Sequence, residues 1–518
     1  MVRRVAVIGA GAGGLASIKC CLDEGLEPTC FESSQDIGGV WRYTDSKDDR
    51  RIRVYRSVIT NTSKEMSCFS DFPFPEDFPN YLPHGLVLEY FRMYAQHFDL
   101  LRHIRFRTTV LSVRKRPDFT TTGQWEVVTE ADGVCELLVF DAVMVCTGHY
   151  QEPYLPLASF PGIDSRFQGQ RLHSWEYRDV EDFRGKRVLL VGIGNTGGDL
   201  AVELSHVATK SCLPPQVFLS TRSNTWVMSR VSDHGFPFDM VNTNRLNHFL
   251  EWLLPSALTR RINSDYKSHF GFLPDDNTLP FCLLSGTVVL KPNVKEFTEN
   301  SAIFEDGTTE ENIDVVLFAT GYNFSFPFLE ESVRSAIDDN RSLYKCVFPP
   351  QLEKPTLAII GLIQLTGSIM VGSEMQARWV TGVFAGWNKL PPPSRMMAEV
   401  SKRKNPSERE NLKMSFINYM DEIAACAGVK PSVLRLLLTD PQLALAIFFG
   451  PCSPYQYRLT GRGKWSGARA AILSQWQRAL KPLRTRLVDD NSSTALTAGF
   501  LFSKHPQPGW SPWADPQL

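Results

Sequence analysis

The chain has 518 residues, of which 43% are hydrophobic, and this length predicts two or three domains with a large buried interior. Its formal net charge of −1 argues against nucleic acid as the main partner. The 11 cysteines include no Cys-x-x-Cys pair, which disfavours a zinc site and a disulfide framework, so we expect free thiols in a reducing cytosol and no metal ion.

The N-terminus predicts a strand, a glycine-rich turn, a helix and a second strand, in that order. The first strand is the β-branched run at residues 4–8, the helix covers roughly residues 15–24, and the second strand covers residues 29–31 and ends at Glu32. This order argues against a cleaved secretory signal. The sequence contains no run of about 18 apolar residues, so no transmembrane helix is expected.

Gly9, Gly11 and Gly14 have the spacing G-x-G-x-x-G, and we call residues 9–14 the first glycine loop. Gly9 permits a tight turn, Gly11 lets a pyrophosphate approach the backbone, and Gly14 lets the helix pack on the strand. The helix N-terminus adds free N–H groups and partial positive charge, and Glu32 is placed to accept hydrogen bonds from a ribose diol. A dinucleotide is therefore predicted here, with a structural glycine turn as the alternative.

The sequence D-I-G-G-V-W-R at residues 36–42 favours FAD over NAD(P) as this dinucleotide. Its glycine pair, followed by Trp41, predicts a loop that passes close to a large planar cofactor. The alternative is an ordinary turn that carries a core tryptophan.

A second glycine loop, residues 192–197, repeats the same spacing at Gly192, Gly194 and Gly197. It follows a predicted buried strand at residues 188–191, and a helix is predicted from residue 199 onward. Two such loops in one chain predict two different dinucleotides, one a resident flavin and the other a hydride donor that meets it.

The second strand of this unit, residues 217–220, ends in Thr221 and Arg222 rather than in an acid. An acid would bind a free ribose 2′-hydroxyl, whereas a guanidinium suits the 2′-phosphate of NADP. NADPH is therefore predicted over NADH, with a solvated loop charge as the alternative for Arg222.

A repeated sequence pattern supports paired Rossmann-like halves. Residues 141–148 read D-A-V-M-V-C-T-G, and residues 314–321 read D-V-V-L-F-A-T-G. The predicted fold class is α/β with two Rossmann-like dinucleotide-binding domains, the NADP domain inserted in the FAD domain. The predicted boundaries are residues 1–153 and 331–445 for the two parts of the FAD domain, 154–330 for the NADP domain, and 446–518 for a C-terminal segment that ends in a disordered tail.

Three further motifs complete a resemblance to a known family. They are F-x-G-x-x-x-H-x-x-x-Y at residues 167–177, N-T-S-K-E-M at residues 61–66, and A-T-G-Y at residues 319–322. With the first glycine loop, they resemble the vertebrate flavin-containing monooxygenase family, of the microsomal type that forms dimethylaniline N-oxide. The similarity runs from about residue 3 to about residue 488.

The resemblance implies FAD and NADPH as cofactors and molecular oxygen as a substrate. It implies that NADPH reduces FAD, that oxygen then forms a C4a-hydroperoxyflavin, and that a small-molecule amine nitrogen or sulfide sulfur attacks its distal oxygen, as in the N- and S-oxidation of xenobiotics. It also implies a catalytic role for Asn61, whose amide can both donate and accept hydrogen bonds beside the flavin and nicotinamide. For His173 we favour a structural hydrogen-bonding role over a general base.

The predicted cofactor-binding residues combine the glycine loops with the positions that match family contacts. On the FAD side they are Gly9, Ala10, Gly11, Ala12, Gly13, Gly14, Glu32, Val40, Trp41, Thr60, Asn61 and Thr62. On the NADP side they are Gly192, Gly194, Asn195, Thr196, Gly197, Gly198 and Arg222.

Three departures from the family pattern bear on activity and membrane binding. Residues 210–215 are predicted to be an extra surface loop. The segment at residues 268–285 is shorter than is usual in the family and lies near the active-site region in relatives, so it bears on catalytic competence and substrate access. The C-terminal apolar run, residues 495–502, reaches only about 12 Å and is too short for a membrane anchor.

The family location implies the cytosolic face of the endoplasmic reticulum membrane, with peripheral association in this chain. The basic cluster Arg478, Lys481, Arg484 and Arg486 is one candidate contact with an anionic membrane face, or else a solvated charge run. Residues 246–258 and 434–449 are apolar segments that are either buried core or membrane contacts.

Three other functions stay open from the sequence. A Baeyer–Villiger oxidase would insert oxygen beside a ketone with the same cofactors. A disulfide reductase would need a redox cysteine pair, and the adjacent Cys20 and Cys21 do not have the usual spacing. A catalytically impaired flavoprotein is motivated by the shortened segment.

Overall fold

The computed structural model describes residues 2–44, 54–208, 217–222, 228–232, 235–253, 274–275, 278–337, 342–403 and 414–484. Outside these ranges lie the extra loop at residues 210–215, residues 254–258 of the first apolar segment, residues 268–273 and 276–277 of the shortened segment, Arg486, and the apolar run at residues 495–502.

The strands, in chain order, are β1 Arg4–Ile8, β2 Glu27–Phe31, β3 Ile104–Arg105, β4 Thr108–Lys115, β5 Trp125–Ala131, β6 Val134–Phe140, β7 Ala142–Val145, β8 Glu152–Pro153, β9 Gln170–His173, β10 Val188–Val191, β11 Val217–Ser220, β12 Met228–Ser229, β13 Pro274–Asp275, β14 Val288–Lys291, β15 Val294–Phe297, β16 Ala302–Phe304, β17 Thr309–Glu310, β18 Val315–Phe318, β19 Tyr322–Asn323 and β20 Leu357–Ile359.

The α-helices are α1 Ala12–Asp23, α2 Lys64–Ser67, α3 His84–His97, α4 Phe119–Thr122, α5 Asn195–Ala208, α6 Phe238–Asn242, α7 Arg245–Leu253, α8 Thr278–Leu284, α9 Glu331–Arg334, α10 Ile369–Phe384, α11 Pro393–Arg403, α12 Phe416–Cys426, α13 Val433–Thr439, α14 Pro441–Phe449 and α15 Ala468–Leu480.

Two five-stranded parallel sheets carry the two glycine loops. The first sheet has the order β20-β7-β1-β2-β3, and the second has the order β14-β11-β10-β18-β9. All strands of the second sheet come from residues 170–318, whereas the first sheet draws strands from both sides of that range. The fold is therefore α/β with one Rossmann-type unit inserted in the other, as predicted. The exact domain boundaries stay a prediction.

The two repeated segments, residues 141–148 and 314–321, occupy equivalent places in the two sheets. β7 lies parallel to β1, and β18 lies parallel to β10. Just beyond each pair, the Cys146 backbone N–H donates to the Ile8 carbonyl and the Ala319 N–H donates to the Val191 carbonyl, both at 2.9 Å. The repeated acid-strand-Thr-Gly pattern thus encodes the strand that runs beside each glycine loop.

Both glycine loops enter their helices earlier than the sequence predicts. Helix α1 begins at Ala12 rather than near residue 15, and α5 begins at Asn195 rather than residue 199. The small residues of each loop already form the first helical turn, as the 2.9 Å bond from the Leu15 N–H to the Gly11 carbonyl shows. The prediction missed this turn because it placed each helix start at bulkier residues.

Helices from the last third of the chain pack against the first unit through buried ion pairs. The Arg458 guanidinium bonds to Glu374 at 2.8 Å and lies 2.9 Å from Asp71. Arg478, expected as part of a membrane-facing cluster, is instead 7% exposed and donates to the buried Glu65 carboxylate at 2.6 Å. The cluster prediction is therefore wrong for Arg478, because this cation points into the protein.

The described residues of the two apolar segments form short helices. In the first segment Leu246 is half-buried and Leu250 and Leu253 are exposed, whereas the second has the buried Leu443 beside exposed leucines. Asp440 caps α14 by accepting from the Leu443 N–H at 3.1 Å, so the second segment breaks at Pro441 as its sequence suggests. Within the described ranges, no helix combines the length and apolar character needed to cross a membrane.

Candidate functional site

The first glycine loop shows which glycines the protein itself requires. Gly9 has φ +100°, and an ideal Cβ there would lie 2.9 Å from the Cys146 carbonyl oxygen. A Cβ on Gly14 would lie only 1.9 Å from the Gly9 carbonyl oxygen, so a side chain there would push the helix off the strand. A Cβ on Gly11 would make only ordinary contact with the Gly39 backbone, 3.7 Å from its Cα, so protein packing alone does not require a glycine there.

Glu32 lies at the carboxyl end of β2, directly beside this loop. One carboxylate oxygen accepts from the Ala10 N–H at 2.9 Å, and the other accepts from the Ser34 N–H at 2.8 Å. These two bonds fix the orientation of the carboxylate but leave further lone pairs on both oxygens. The group can therefore also accept hydrogen bonds from a ribose diol.

The loop that carries Val40 and Trp41 closes over the first glycine loop. The Gly38 N–H donates to the Ala10 carbonyl at 3.0 Å, and Gly38 and Gly39 both have positive φ, at 110° and 53°. Trp41 lies half-buried at the end of the short 3₁₀ turn Gly39–Trp41. This contact brings the two FAD-side segments together, as the sequence suggests.

The second glycine loop repeats the geometry of the first. Gly192 has φ +110° with its ideal Cβ 2.6 Å from the Ala319 carbonyl oxygen, and a Cβ on Gly197 would lie 2.0 Å from the Gly192 carbonyl oxygen. Gly194 has no atom within 4 Å of its ideal Cβ, and it is exposed together with Asn195. Each loop therefore has two glycines required by packing and a middle glycine with room for a Cβ, which contacts Gly39 in the first loop and meets open space in the second.

The remaining NADP-side residues lie around this loop. Thr196, Gly197 and Gly198 continue the first turn of α5 after Asn195. Arg222 is exposed two residues beyond the end of β11, and its contact with a 2′-phosphate stays a prediction.

The Asn61 segment lies between the two units and contacts both. The Thr60 hydroxyl accepts from the Leu82 N–H at 2.9 Å, and the Thr62 hydroxyl pairs with that of Ser67 at 2.5 Å. The Asn61 side-chain oxygen accepts from the Arg230 guanidinium at 2.9 Å.

The residues just before Asn61 bind the helix of the second glycine loop. The Tyr55 hydroxyl donates to the Asp199 carboxylate at 2.6 Å, and the Ser57 hydroxyl donates to Glu203 at 2.7 Å. Asp199 belongs to the first turns of α5. The structure thus brings the predicted Asn61 segment against the predicted NADP helix.

Comparisons with known proteins identify the family. A profile of the family described as flavin-binding monooxygenase-like matches residues 2–503. Dimethylaniline monooxygenase (N-oxide-forming) 4 from Oryctolagus cuniculus is 56% identical, covering 96% of this chain and 92% of its own. Flavin-containing monooxygenase 5 from Homo sapiens is 52% identical, covering 96% of both chains. The chain belongs to the flavin-binding monooxygenase-like family.

Solved structures agree on the fold. S-allyl-L-cysteine S-oxygenase from Allium sativum superposes with a TM-score of 0.64 at 24% identity, covering 92% of this chain and 98% of its own. Cyclohexanone monooxygenase from Rhodococcus sp. Phi1, solved with NADP⁺, gives a TM-score of 0.55 at 18% identity over 83% of this chain and 98% of its own.

The family assignment confirms the prediction of a flavin monooxygenase that uses FAD and NADPH and acts on small molecules with oxygen. It does not favour the disulfide reductase. In this monooxygenase Cys20 and Cys21 are buried in α1, and burial raises the pKa of both thiols. The individual cofactor contacts and the catalytic role of Asn61 stay predictions.

His173 has a structural environment in this monooxygenase. It is 1% exposed, its Nε2 lies 3.0 Å from the Gly321 carbonyl oxygen, and its Nδ1 accepts from the Trp175 N–H at 3.1 Å. One tautomer, with the proton on Nε2, satisfies both contacts, and burial lowers the pKa of the ring. A neutral imidazole with both nitrogens occupied by backbone fits the predicted structural role.

Sequence reasoning did not identify Arg230, Asp199 or Asp239 as neighbours of Asn61. Asp239 accepts from the Ser63 N–H at 2.7 Å and from the Ser63 hydroxyl at 3.0 Å, two residues beyond Asn61. Burial raises the pKa of this carboxyl to about 6. No local pattern marks these residues, because their partners are more than 130 positions away in sequence.

Proposed function

We propose that this monooxygenase transfers one oxygen atom from O₂ to a soft nucleophilic nitrogen or sulfur of small molecules, including xenobiotics. One NADPH and one proton are consumed, and the other oxygen atom leaves as water. Support comes from relatives at 52–56% identity whose names state N-oxide formation. The observation that carries the proposal is the pair of matching glycine loops with the Asn61 segment packed against the second loop's helix.

In this proposal the chain mainly binds, orients and excludes water. When bound, FAD supplies the chemistry that activates oxygen and NADPH supplies the hydride. Gly11, where packing does not itself require a glycine, and the N-terminus of α1 fit a pyrophosphate, and Glu32 fits the adjoining ribose. Gly194 and the first turn of α5 fit the second pyrophosphate, and Arg222 fits the 2′-phosphate.

Asn61 is proposed as the residue that holds the oxygen-transfer geometry. Its amide oxygen is already occupied by Arg230, so its two amide N–H donors are the groups available toward the reacting atoms. A fixed donor at this point stabilises developing negative charge on oxygen more effectively than mobile water.

The direct test uses the purified holoenzyme with NADPH and two substrates, an aryl methyl sulfide and a cyclic ketone. We expect sulfoxide from the sulfide and little ester from the ketone. Ester as the main product would instead establish the Baeyer–Villiger alternative, and a protein that NADPH does not bleach would establish an impaired flavoprotein.

An Asn61→Ser variant tests the assigned residue. We expect sulfoxide formation to fall by two orders of magnitude or more while FAD content and melting temperature stay near wild type. Ser63→Ala is a nearby control, because it removes only a hydroxyl and leaves the 2.7 Å bond from the Ser63 backbone N–H to Asp239. Wild-type sulfoxidation by Asn61→Ser would remove Asn61 from the mechanism.

We also propose peripheral association with the cytosolic face of the endoplasmic reticulum membrane. Helices α7 and α14 contact each other through Phe249 and Phe448, whose ring centroids lie 6.4 Å apart. This region, with α13, exposes a set of large apolar side chains, which we call the apolar face: Phe249, Leu250, Leu253, Leu434, Leu437, Leu438, Leu445 and Phe449. Leu434 and Leu438 are 80% and 87% exposed, which a bilayer surface would cover.

Flotation with phosphatidylcholine vesicles tests this association. We expect the wild-type protein to float with the vesicles and the Leu434→Ser/Leu438→Ser variant to remain at the bottom of the gradient. Removal of residues 490–518 should leave flotation intact. If the truncated protein no longer floats, the membrane contact lies in the C-terminal segment instead.

A further inference from the structure

Arg230 makes two contacts with the Asn61 segment and a third with helix α5. The side chain is buried, with 7% of its residue surface exposed. Its Nη2 donates to the Asn61 side-chain oxygen at 2.9 Å, and its Nε donates to the Thr60 carbonyl oxygen at 3.3 Å. Its Nη2 also lies 3.6 Å from the Asp199 carboxylate. One guanidinium therefore bridges the Asn61 loop and the helix of the second glycine loop.

The Arg230 backbone is held in place as well. Its carbonyl oxygen accepts from the Phe238 N–H at 2.8 Å and from the Tyr81 hydroxyl. Asp239, the next residue after Phe238, binds Ser63. Arg230 and Asp239 thus contact the Asn61 loop at two points, Asn61 and Ser63, and the Arg230 backbone is fixed by its own hydrogen bonds.

The chemistry of arginine determines which end of the Asn61 amide faces it. A guanidinium carries five N–H donors and no acceptor, whereas the asparagine amide has one acceptor end and one donor end. Turning the amide over would place two sets of donors against each other in a partly buried place, which costs up to about 3 kcal/mol for the unmet groups. Arg230 therefore enforces one of the two amide orientations.

We propose that Arg230 is a positioning residue that fixes the Asn61 amide with its oxygen toward the guanidinium and its NH₂ group toward the reacting atoms, and that Asp199 couples this arrangement to the NADP helix. The inference rests on the proposed role of Asn61 in oxygen transfer. The contact itself can be tested in the protein without cofactors, so failure of the contact and failure of the function are separable.

The first experiment measures the melting temperature of the apoprotein in a double-mutant cycle. Asn61→Asp replaces the amide by a carboxylate, which Arg230 can still pair with. We expect the Asn61→Asp protein to melt at or above the wild-type temperature. In the Arg230→Met background the carboxylate lacks its partner, so the double variant should melt at least about 2 °C below Arg230→Met alone. Equal shifts in the two backgrounds would refute the Arg230–Asn61 contact, whatever the enzyme does.

The second experiment measures sulfoxide formed per NADPH consumed in the holoenzyme. Lysine offers only donors and keeps the amide orientation, whereas glutamine offers a donor and an acceptor and permits either orientation. We expect Arg230→Lys to retain most of the wild-type ratio and Arg230→Gln to lose about ten-fold, with hydrogen peroxide as the other product. The anaerobic rate of flavin reduction by NADPH should change less than three-fold in both variants.

These two arms also distinguish positioning from a general structural role. A merely structural arginine predicts that lysine and glutamine lower the product ratio and the reduction rate together. That result would overturn the proposal. So would a glutamine variant that forms as much sulfoxide per NADPH consumed as the lysine variant does. If Arg230→Met fails to fold, Arg230→Gln serves as the second background of the melting cycle, and a smaller drop of the same sign is expected because glutamine offers a donor but no charge.

Discussion

Two alanine substitutions in the second glycine loop should separate a glycine required by packing from one required by the ligand. Gly197→Ala would place a Cβ 2.0 Å from the Gly192 carbonyl oxygen, whereas ordinary contact begins at 3.4 Å. Relief needs a movement of about 1.4 Å between α5 and the end of β10. Overpacking typically costs about 1–3 kcal/mol, and the size of this overlap favours the upper end.

Gly194→Ala should leave the folded apoprotein intact. No atom lies within 4 Å of the added Cβ, and Gly194 does not have a positive φ. At such a position alanine restricts the unfolded chain and stabilises by about 0.4–1 kcal/mol. The new methyl group instead occupies the space into which a pyrophosphate would approach, so NADP⁺ affinity should fall at least ten-fold, or about 1.4 kcal/mol.

The assay combines thermal melting of the apoprotein with NADP⁺ titration of the FAD-loaded protein. We expect Gly197→Ala to melt about 6–12 °C below wild type, as about 3 kcal/mol implies for a domain of this size, and Gly194→Ala to melt at or slightly above it. FAD content serves as the control, because the first glycine loop is untouched. Wild-type NADP⁺ affinity in Gly194→Ala, or wild-type melting in Gly197→Ala, would refute the division of roles.

Three further predictions follow from single contacts. Arg478→Met leaves the Glu65 carboxylate, which is 1% exposed, without its cation, and should lower the free energy of unfolding by about 3–5 kcal/mol in a melting experiment. Arg469→Met, which breaks the exposed pair with Asp440, should change it by about 1 kcal/mol or less. Asp239→Asn should alter the pH dependence of melting. Because folding raises the pKa of this carboxyl from 3.8 to about 6, the folded state binds the proton more tightly than the unfolded state does. The free energy of unfolding of wild type relative to the variant should therefore be largest below about pH 4 and fall as pH rises through about 6. An advantage that grows with pH would contradict this sign. Arg222→Ala should raise the KM for NADPH far more than that for NADH, and equal effects would remove the 2′-phosphate argument.

Local sequence patterns predicted the elements that frame the site. The strands at residues 188–191 and 217–220 were predicted with the bounds that the structure has, because short β-branched runs between turn residues have few other folds. The glycine spacing predicted both loops, and the structure explains it through the 1.9 and 2.0 Å approaches at Gly14 and Gly197. Such features depend on neighbours within a few positions or on one adjacent strand.

The wrong and missing predictions involve charged side chains whose partners are distant in sequence. Arg478 was considered with three nearby cations as a membrane contact, but its partner Glu65 is 413 positions away. Arg230 lies 169 positions from Asn61, and the sequence around neither residue indicates their contact. A charge on a surface and a charge buried against a carboxylate look the same in a window of sequence.

This distinction matters most at the reacting centre. A family motif can indicate that an asparagine belongs at position 61, but the motif does not say which end of its amide faces the cofactors, because that depends on the group behind it. Here the group behind it is a donor-only guanidinium from the inserted unit. Since the same guanidinium lies beside Asp199 on the NADP helix, a shift of that helix would act directly on Asn61. The inserted unit therefore supplies more than a second nucleotide site: it completes the orientation of a residue that belongs to the first.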